Sequence, residues 1–275
     1  MRVRGGVATR LLHVNGSPVL VRAWEPGRQR IVLRAESLDP AAIATPGPAA
    51  TVSLEEAGDA ELEVALERMR FALGVDDDLT EFYARFRHDA LLGPLLRRRP
   101  HLRLRRRPWP WEALVWAVVK QLIETGRAAR IQRRMVGRWG LRLGPGRGGL
   151  RDVPTPQLIA GRAPAELESM GLALKRAIAL RAIAGDIAAG RCDPAEARAD
   201  RRLLGVREIG PWTVQCLGLF GRGDPDSLPA GDLMYIKQVG RLARLGRRAT
   251  VEEVEEFYAP YAPFRGLAAA WATLV

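Results

Sequence analysis

The side chains best suited to chemistry lie in the last third of the chain. In "LPAGDLMYIKQ", Leu228 to Gln238, Asp232 follows a glycine and opens an apolar helix. Backbone amides and the helix dipole hold a carboxylate charged at such a place, as an anion facing a developing cation must be. The same residue used only as an N-cap would start the helix and do nothing more. Upstream, "VREIGPWTVQ", Val206 to Gln215, turns tightly between two short helical patterns, with Pro211 at the first position of the second. Such an elbow aims the amides around Ile209, Gly210 and Trp212 at one phosphate without reading a base. A plain helical hairpin inside a bundle has the same pattern.

Other chemistries find no residues to carry them. Cys192, Cys216, His13, His88 and His101 are too scattered for a zinc site, a four-cysteine cluster or a disulfide framework, so no cofactor is expected. Two cysteines fit a reducing cytoplasm. No signal-like segment is read in the first residues, and no apolar run reaches membrane-spanning length.

The charge is lopsided. Forty-three Lys plus Arg against 31 Asp plus Glu leave a formal +12, and the only lysines are Lys120, Lys175 and Lys237. Arg in place of Lys follows G+C-rich coding, but the excess over acids points to a polyanion. Two stretches concentrate it. "RRRPHLRLRRRPWPW" (Arg97 to Trp111) mixes arginine runs with tryptophans, and Arg127, Arg130, Arg134 and Arg138 share one face of "GRAARIQRRMVGRWG". Either stretch alone also reads as a solvated face.

The elements that must position these residues are mostly helical. The N-terminal part is written in strands: "TRLLHVNGSPVLVRAW" sets Asn15-Gly16 between β-rich runs, a hairpin signal, and "EPGRQRIVLRA" adds a turn and a third strand. Pro and Ala crowd residues 40–50, after which the period becomes helical. Helices are expected near 59–73, 79–97, 110–124, 126–140, 155–170, 172–190, 194–205, 211–220, 232–245, 250–258 and 263–274, with a Gly-rich loop at Leu143 to Pro156. The fold class is α+β, mostly α: a small antiparallel sheet domain over 1–72, then a helical domain over 73–275.

Elbow, Trp-Thr and an aspartate opening the next helix together resemble the helix-hairpin-helix (HhH-GPD) DNA glycosylase superfamily, in its 3-methyladenine DNA glycosylase II (AlkA-like) type. "PWEALVWAVVKQLI", "GLALKRAIALRAIAGDIAAG" and "PYAPFRGLAAAW" agree in order and spacing, so the likeness runs from about residue 60 to the end. It implies a two-lobed helical domain and base excision repair of damaged duplex DNA by a monomer, with no catalytic metal. Asp232 would stabilise an oxocarbenium-like sugar or orient water as the N-glycosidic bond of a flipped base breaks. Trp212, Cys216, Leu233 and Trp271 would line the base pocket. Leu122 would wedge into the vacated stack beside Gln121, while Arg207, Ile209, Gly210, Thr213 and Lys237 meet the backbone. Hairpin carbonyls near Val206 and Ile209 would hold a monovalent cation. Trp212 stands where strand-cutting relatives carry their Schiff-base lysine, which implies a monofunctional enzyme acting on alkylated purines such as 3-methyladenine and 7-methylguanine.

The sequence departs from the family at Glu208, where a glycine is usual, at Cys216 and Leu233, where aromatics are usual, and at Glu124. Deaminated or oxidised bases as substrates, and a non-catalytic hairpin DNA binder, are the alternative readings.

Overall fold

The computed structural model describes residues 1–27, 30–39, 43–44, 57–143 and 149–275. The turn at residues 28–29, most of the Pro/Ala-rich stretch at 40–50 and the middle of the Gly-rich loop lie outside the described residues.

Four antiparallel strands form a meander in the order β1 (Arg2–Arg4), β2 (Val7–Val14), β3 (Ser17–Gly27), β4 (Arg30–Ser37). The Asn15-Gly16 hairpin is present: both residues have positive φ, +52° and +91°, and Val14 pairs with Ser17. Primed turns of this kind match the twist of the flanking strands. Strand β1 was not expected; a second two-residue turn, Gly5-Gly6, returns it onto β2. A short pair, β5 (Ile43–Ala44) with β6 (Arg142–Leu143), follows. Leu11, Leu20 and Leu38 pack with Leu141 and Leu143, so the sheet shares its core with residues far along the chain.

The helices are α1 (Asp59–Leu73), α2 (Thr80–Phe86), α3 (Gly93–Arg98), α4 (Pro110–Lys120), α5 (Thr125–Trp139), α6 (Pro156–Ala160), α7 (Pro164–Ser169), α8 (Leu174–Ala188), α9 (Ala199–Leu204), α10 (Pro211–Leu217), α11 (Leu233–Leu242), α12 (Val251–Tyr258) and α13 (Arg265–Ala272). Two expected helices are each divided. The 79–97 helix breaks into α2 and α3, because Asp89 turns its carboxylate to the amides of Leu91 and Leu92 (2.9 and 2.7 Å). The 155–170 helix breaks into α6 and α7 at Gly161, with Pro164 starting the next. The helix expected from 194 begins only at Ala199, and α10 passes into a π turn, Gly218–Arg222.

The chain divides into two compact units, residues 1–72 with 118–193, and residues 73–117 with 194–275. In the first, buried Asp152 gathers β2: it accepts from Arg10 (3.4 Å), from His13 N–H (3.1 Å) and from Val153 N–H (2.8 Å), and lies 3.0 Å from His13 Nδ1. Burial pushes its carboxyl up, but His13 and Arg10 outweigh that and hold it below the usual range. The second unit is cored by aromatics, with Phe82 edge-on to Phe264 and Trp271 at 5.3 and 5.1 Å. Among the described residues no helix is long and apolar enough to cross a membrane.

Candidate active site and nucleic-acid interface

The second unit holds both the elbow and Asp232. Asp232 is the N-cap of α11: its Oδ1 accepts from Met234 N–H (2.9 Å) and its carbonyl from Ile236 N–H (2.9 Å). The residue is half-buried, and Oδ2 has no partner among the described residues. One oxygen thus fixes the rotamer and the other stays open to a ligand.

The loop that delivers Asp232 is pinned from behind. Asp226 takes the Arg265 backbone N–H (3.0 Å) and guanidinium (2.9 and 2.5 Å), and Ser227 Oγ donates to Gln215 O (3.0 Å). The Arg265 bonds hold the Asp226 carboxyl below its ordinary range. A Cβ on Gly266 would collide with Ser227 O, so only glycine lets α13 approach the loop this closely.

Gly231, the residue before Asp232, lies against Trp212. A Cβ on Gly231 would stand 3.8 Å from Trp212 Cβ and Cδ1 and 4.0 Å from Val251. Trp212 is half-buried, and its Nε1 is buried without a hydrogen-bond partner. Leu233 and Met234, 50% and 51% exposed, and exposed Val251 add an aliphatic rim. Cys216 is buried and takes part in no disulfide among the described residues. Behind Asp232 lies buried Tyr235, whose phenol is pushed well up by burial, by the Asp232 charge and then by Cys216 and Tyr258. Sequence reading passed over Tyr235, Met234 and Val251. Tyr235, three residues past the N-cap, shared its face by helical spacing; Val251 is joined only by tertiary packing.

The elbow has the expected turn. Val206 N–H donates to Leu203 O and Ile209 N–H to Val206 O, both at 3.0 Å. Glu208 stands at φ +74°, the left-handed conformation that favours glycine. Gly210 and Trp212 N–H have no acceptor among the described residues, and a Cβ on Gly210 would meet nothing within 4 Å. Arg207 is exposed with no side-chain partner among them.

Three expectations change in the folded chain. Ile209 is a buried side chain and its amide is spent inside the turn, so it offers nothing to a phosphate. Thr213 is 1% exposed, because the third residue of α10 turns inward. Trp271 is 2% exposed, ring edge-on to Phe82 and Tyr83, a core side chain with no open face for a base. Of the hairpin carbonyls, Val206 O accepts from Ile209 N–H, while Ile209 O accepts no N–H among the described residues. Lys237 is exposed on α11.

In the first unit, α4 ends in a tight turn where Leu122 takes φ +52° and is 96% exposed. A leucine in this strained, solvated setting forgoes the burial that stabilises leucines elsewhere. Gln121 is half-buried, and its carbonyl accepts from Arg176 (2.6 Å). The arginines of α5 that the spacing placed on one face, Arg127, Arg130, Arg134 and Arg138, are all exposed.

A family model described as HhH-GPD superfamily base excision DNA repair protein matches residues 115–263. A Mycobacterium tuberculosis protein named probable bifunctional transcriptional activator/DNA repair enzyme AlkA is 30% identical over 178 residues, 63% of this chain and 35% of that protein. A Bacillus subtilis DNA-3-methyladenine glycosylase is 26% identical over 171 residues, 60% of this chain and 56% of the relative. This chain therefore spans about a third and about half of the lengths of these two curated relatives. The solved 3-methyladenine DNA-glycosylase from Archaeoglobus fulgidus shares the fold, with a TM-score of 0.79 at 21% identity over 99% of this chain and 87% of that one. With its elbow, its capping aspartate and this match over more than half its length, the chain belongs to the HhH-GPD superfamily of base excision DNA repair proteins.

Proposed function

We propose that the protein is a monofunctional DNA glycosylase that hydrolyses the N-glycosidic bond of alkylated purines, 3-methyladenine and 7-methylguanine, in duplex DNA. The observation that carries this reading is the half-buried Asp232 carboxylate, locked by one amide and open at its other oxygen, on a backbone whose preceding residue, Gly231, lies against Trp212. A carboxylate there favours positive charge growing on the sugar as the base departs. Alkylated purines are already cationic and leave without strong acid assistance, so one carboxylate suffices. The indole face supplies attraction for a cationic base.

The exposed Leu122 supports a wedge that fills the stack once the base is out, and the free Gly210 and Trp212 amides support the phosphate grip. Ile209 O suits the proposed monovalent cation better than Val206 O, which already serves the turn. Monofunctional chemistry is supported by Trp212 in place of an amine nucleophile, with Lys237 exposed a helical turn beyond Asp232.

The test is release of free methylated base from alkylated duplex DNA. Asn caps helices as well as Asp does, so Asp232→Asn should fold and melt like wild type while losing at least about 100-fold in base release. Equal release by the variant removes Asp232 from its role. A second reading, deaminated or oxidised bases on the same scaffold, is favoured by the aliphatic rim of Leu233, Met234 and Val251, which has no preference for a cation. Duplexes each carrying one modified base separate the two.

A further inference from the structure

We propose that a recess at the C-terminal end of α11 is a second grip on the DNA backbone, in which Lys237, Arg241, Arg244 and Arg248 hold phosphates of a strand flanking the lesion. The inference rests on the DNA-repair reading of Asp232, which caps the other end of the same helix.

The recess measures about 490 Å³ and is lined by Lys237, Gly240, Arg241, Arg244 and the Gly246–Arg248 loop. Its floor is built closely: a Cβ on Gly240 would collide with Arg247 O, and Ala249 N–H bonds back to Ile236 O (3.2 Å). Of the five cations around it, Arg247 is held by Glu253 at 2.6 and 2.8 Å. The side chains of the other four are exposed and have no hydrogen bond or ion pair among the described residues. Four like charges around one recess repel each other, a cost that a polyanion removes.

Complementing the helix dipole does not account for all of them. Arg244 N–H bonds to Arg241 O (3.2 Å) and Leu245 N–H to Gly240 O (3.0 Å), a Schellman ending that places Arg244 at φ +54°. Glycine is the favoured residue at that position, so a cation sits there against a backbone preference. The placement also suits DNA. Ten residues of α11 rise about 15 Å, close to four base-pair steps of duplex. A strand that engages Asp232 and runs along α11 would span the distance to the recess within a few nucleotides.

The experiment is fluorescence anisotropy of the full chain against a duplex with a central abasic-site analogue and against undamaged duplex, over a sodium chloride series. Arg241→Gln with Arg248→Gln should make the log affinity against log salt plot shallower by about 2 on both duplexes, about one for each phosphate no longer neutralised. Arg244→Gly should weaken binding while melting at or above the wild-type temperature, which separates weaker DNA binding from a damaged fold. Trimming one flank of the duplex below about four base pairs should cost the wild type more affinity than it costs the double variant. Wild-type binding with unchanged salt slopes in the variants overturns this inference alone. A wild type that binds neither duplex overturns the DNA reading with it.

Discussion

Asp232 and Glu208 are the two residues whose backbone setting says most about their use. Asp232 is a capping residue by geometry, and its second oxygen is left open. Its role in capping was legible from Gly231-Asp232 ahead of an apolar run, because capping is a local property. The packing of its neighbour Gly231 on Trp212 and Val251 was not, because residues twenty or so apart meet only when the chain folds. Glu208 shows the reverse: the turn demanded glycine, the sequence lacks it, and the backbone takes the left-handed conformation regardless. Glu208→Gly should therefore stabilise the protein by about 0.5–1 kcal/mol in a denaturant melt. It should also tighten duplex binding at low salt, since it removes a carboxylate beside the free Gly210 amide. A glycine variant that loses stability refutes the strain account of this turn.

Among the elements, the loop between α10 and α11 decides whether Asp232 is held or adrift. Between its π turn and Asp232 it would be soft by itself, yet Asp226, Ser227 and the close approach of α13 fix it at several points. Gly266→Ala should cost about 1–3 kcal/mol in thermal or denaturant unfolding, since the methyl group meets a backbone oxygen that cannot yield cheaply. If the loop takes up the strain, the proposed base release should fall further than stability does. The Asp226–Arg265 clamp has a pH signature. Its carboxyl is depressed in the fold, so the contribution is complete above the ordinary carboxylate range and fades as pH falls through the lowered value. Asp226→Asn should accordingly narrow the difference from wild type in melts at about pH 3 compared with pH 7. Helix identities followed from apolar spacing at 3.6 residues, whereas the breaks at Asp89 and Gly161 followed from side-chain and backbone hydrogen bonds that periodicity does not encode.

For the molecule as a whole, compact units and stretches of sequence do not coincide. The sheet of residues 1–37 shares its core with Leu141 and Leu143, and Asp152 is tied to Arg10 and His13 on β2. Removing one partner from such a buried cluster leaves the others uncompensated, so Asp152→Ala should cost about 3–5 kcal/mol at neutral pH. Because the Asp152 carboxyl is depressed, that loss should shrink as pH drops through its folded value, measurable by urea titration at several pH values. A flat pH dependence contradicts the ion-pair account. The formal +12 resolves into local features: exposed arginines along α5, Arg207 on the elbow, and the recess at the end of α11.

The sequence by itself determined what depends on neighbours in the chain: the Asn15-Gly16 hairpin, the run of helices, the elbow with its proline start, the capping aspartate and the cationic balance. Local propensity, turn chemistry and net charge are all written within a few residues of where they act. Only the tertiary structure decided that Trp271 belongs to the core, that Thr213 and Ile209 face inward, that Leu122 stands in solvent, and that five arginine and lysine side chains surround one recess. These are matters of which faces meet, and burial is set by segments distant in sequence that compete for the same apolar surface.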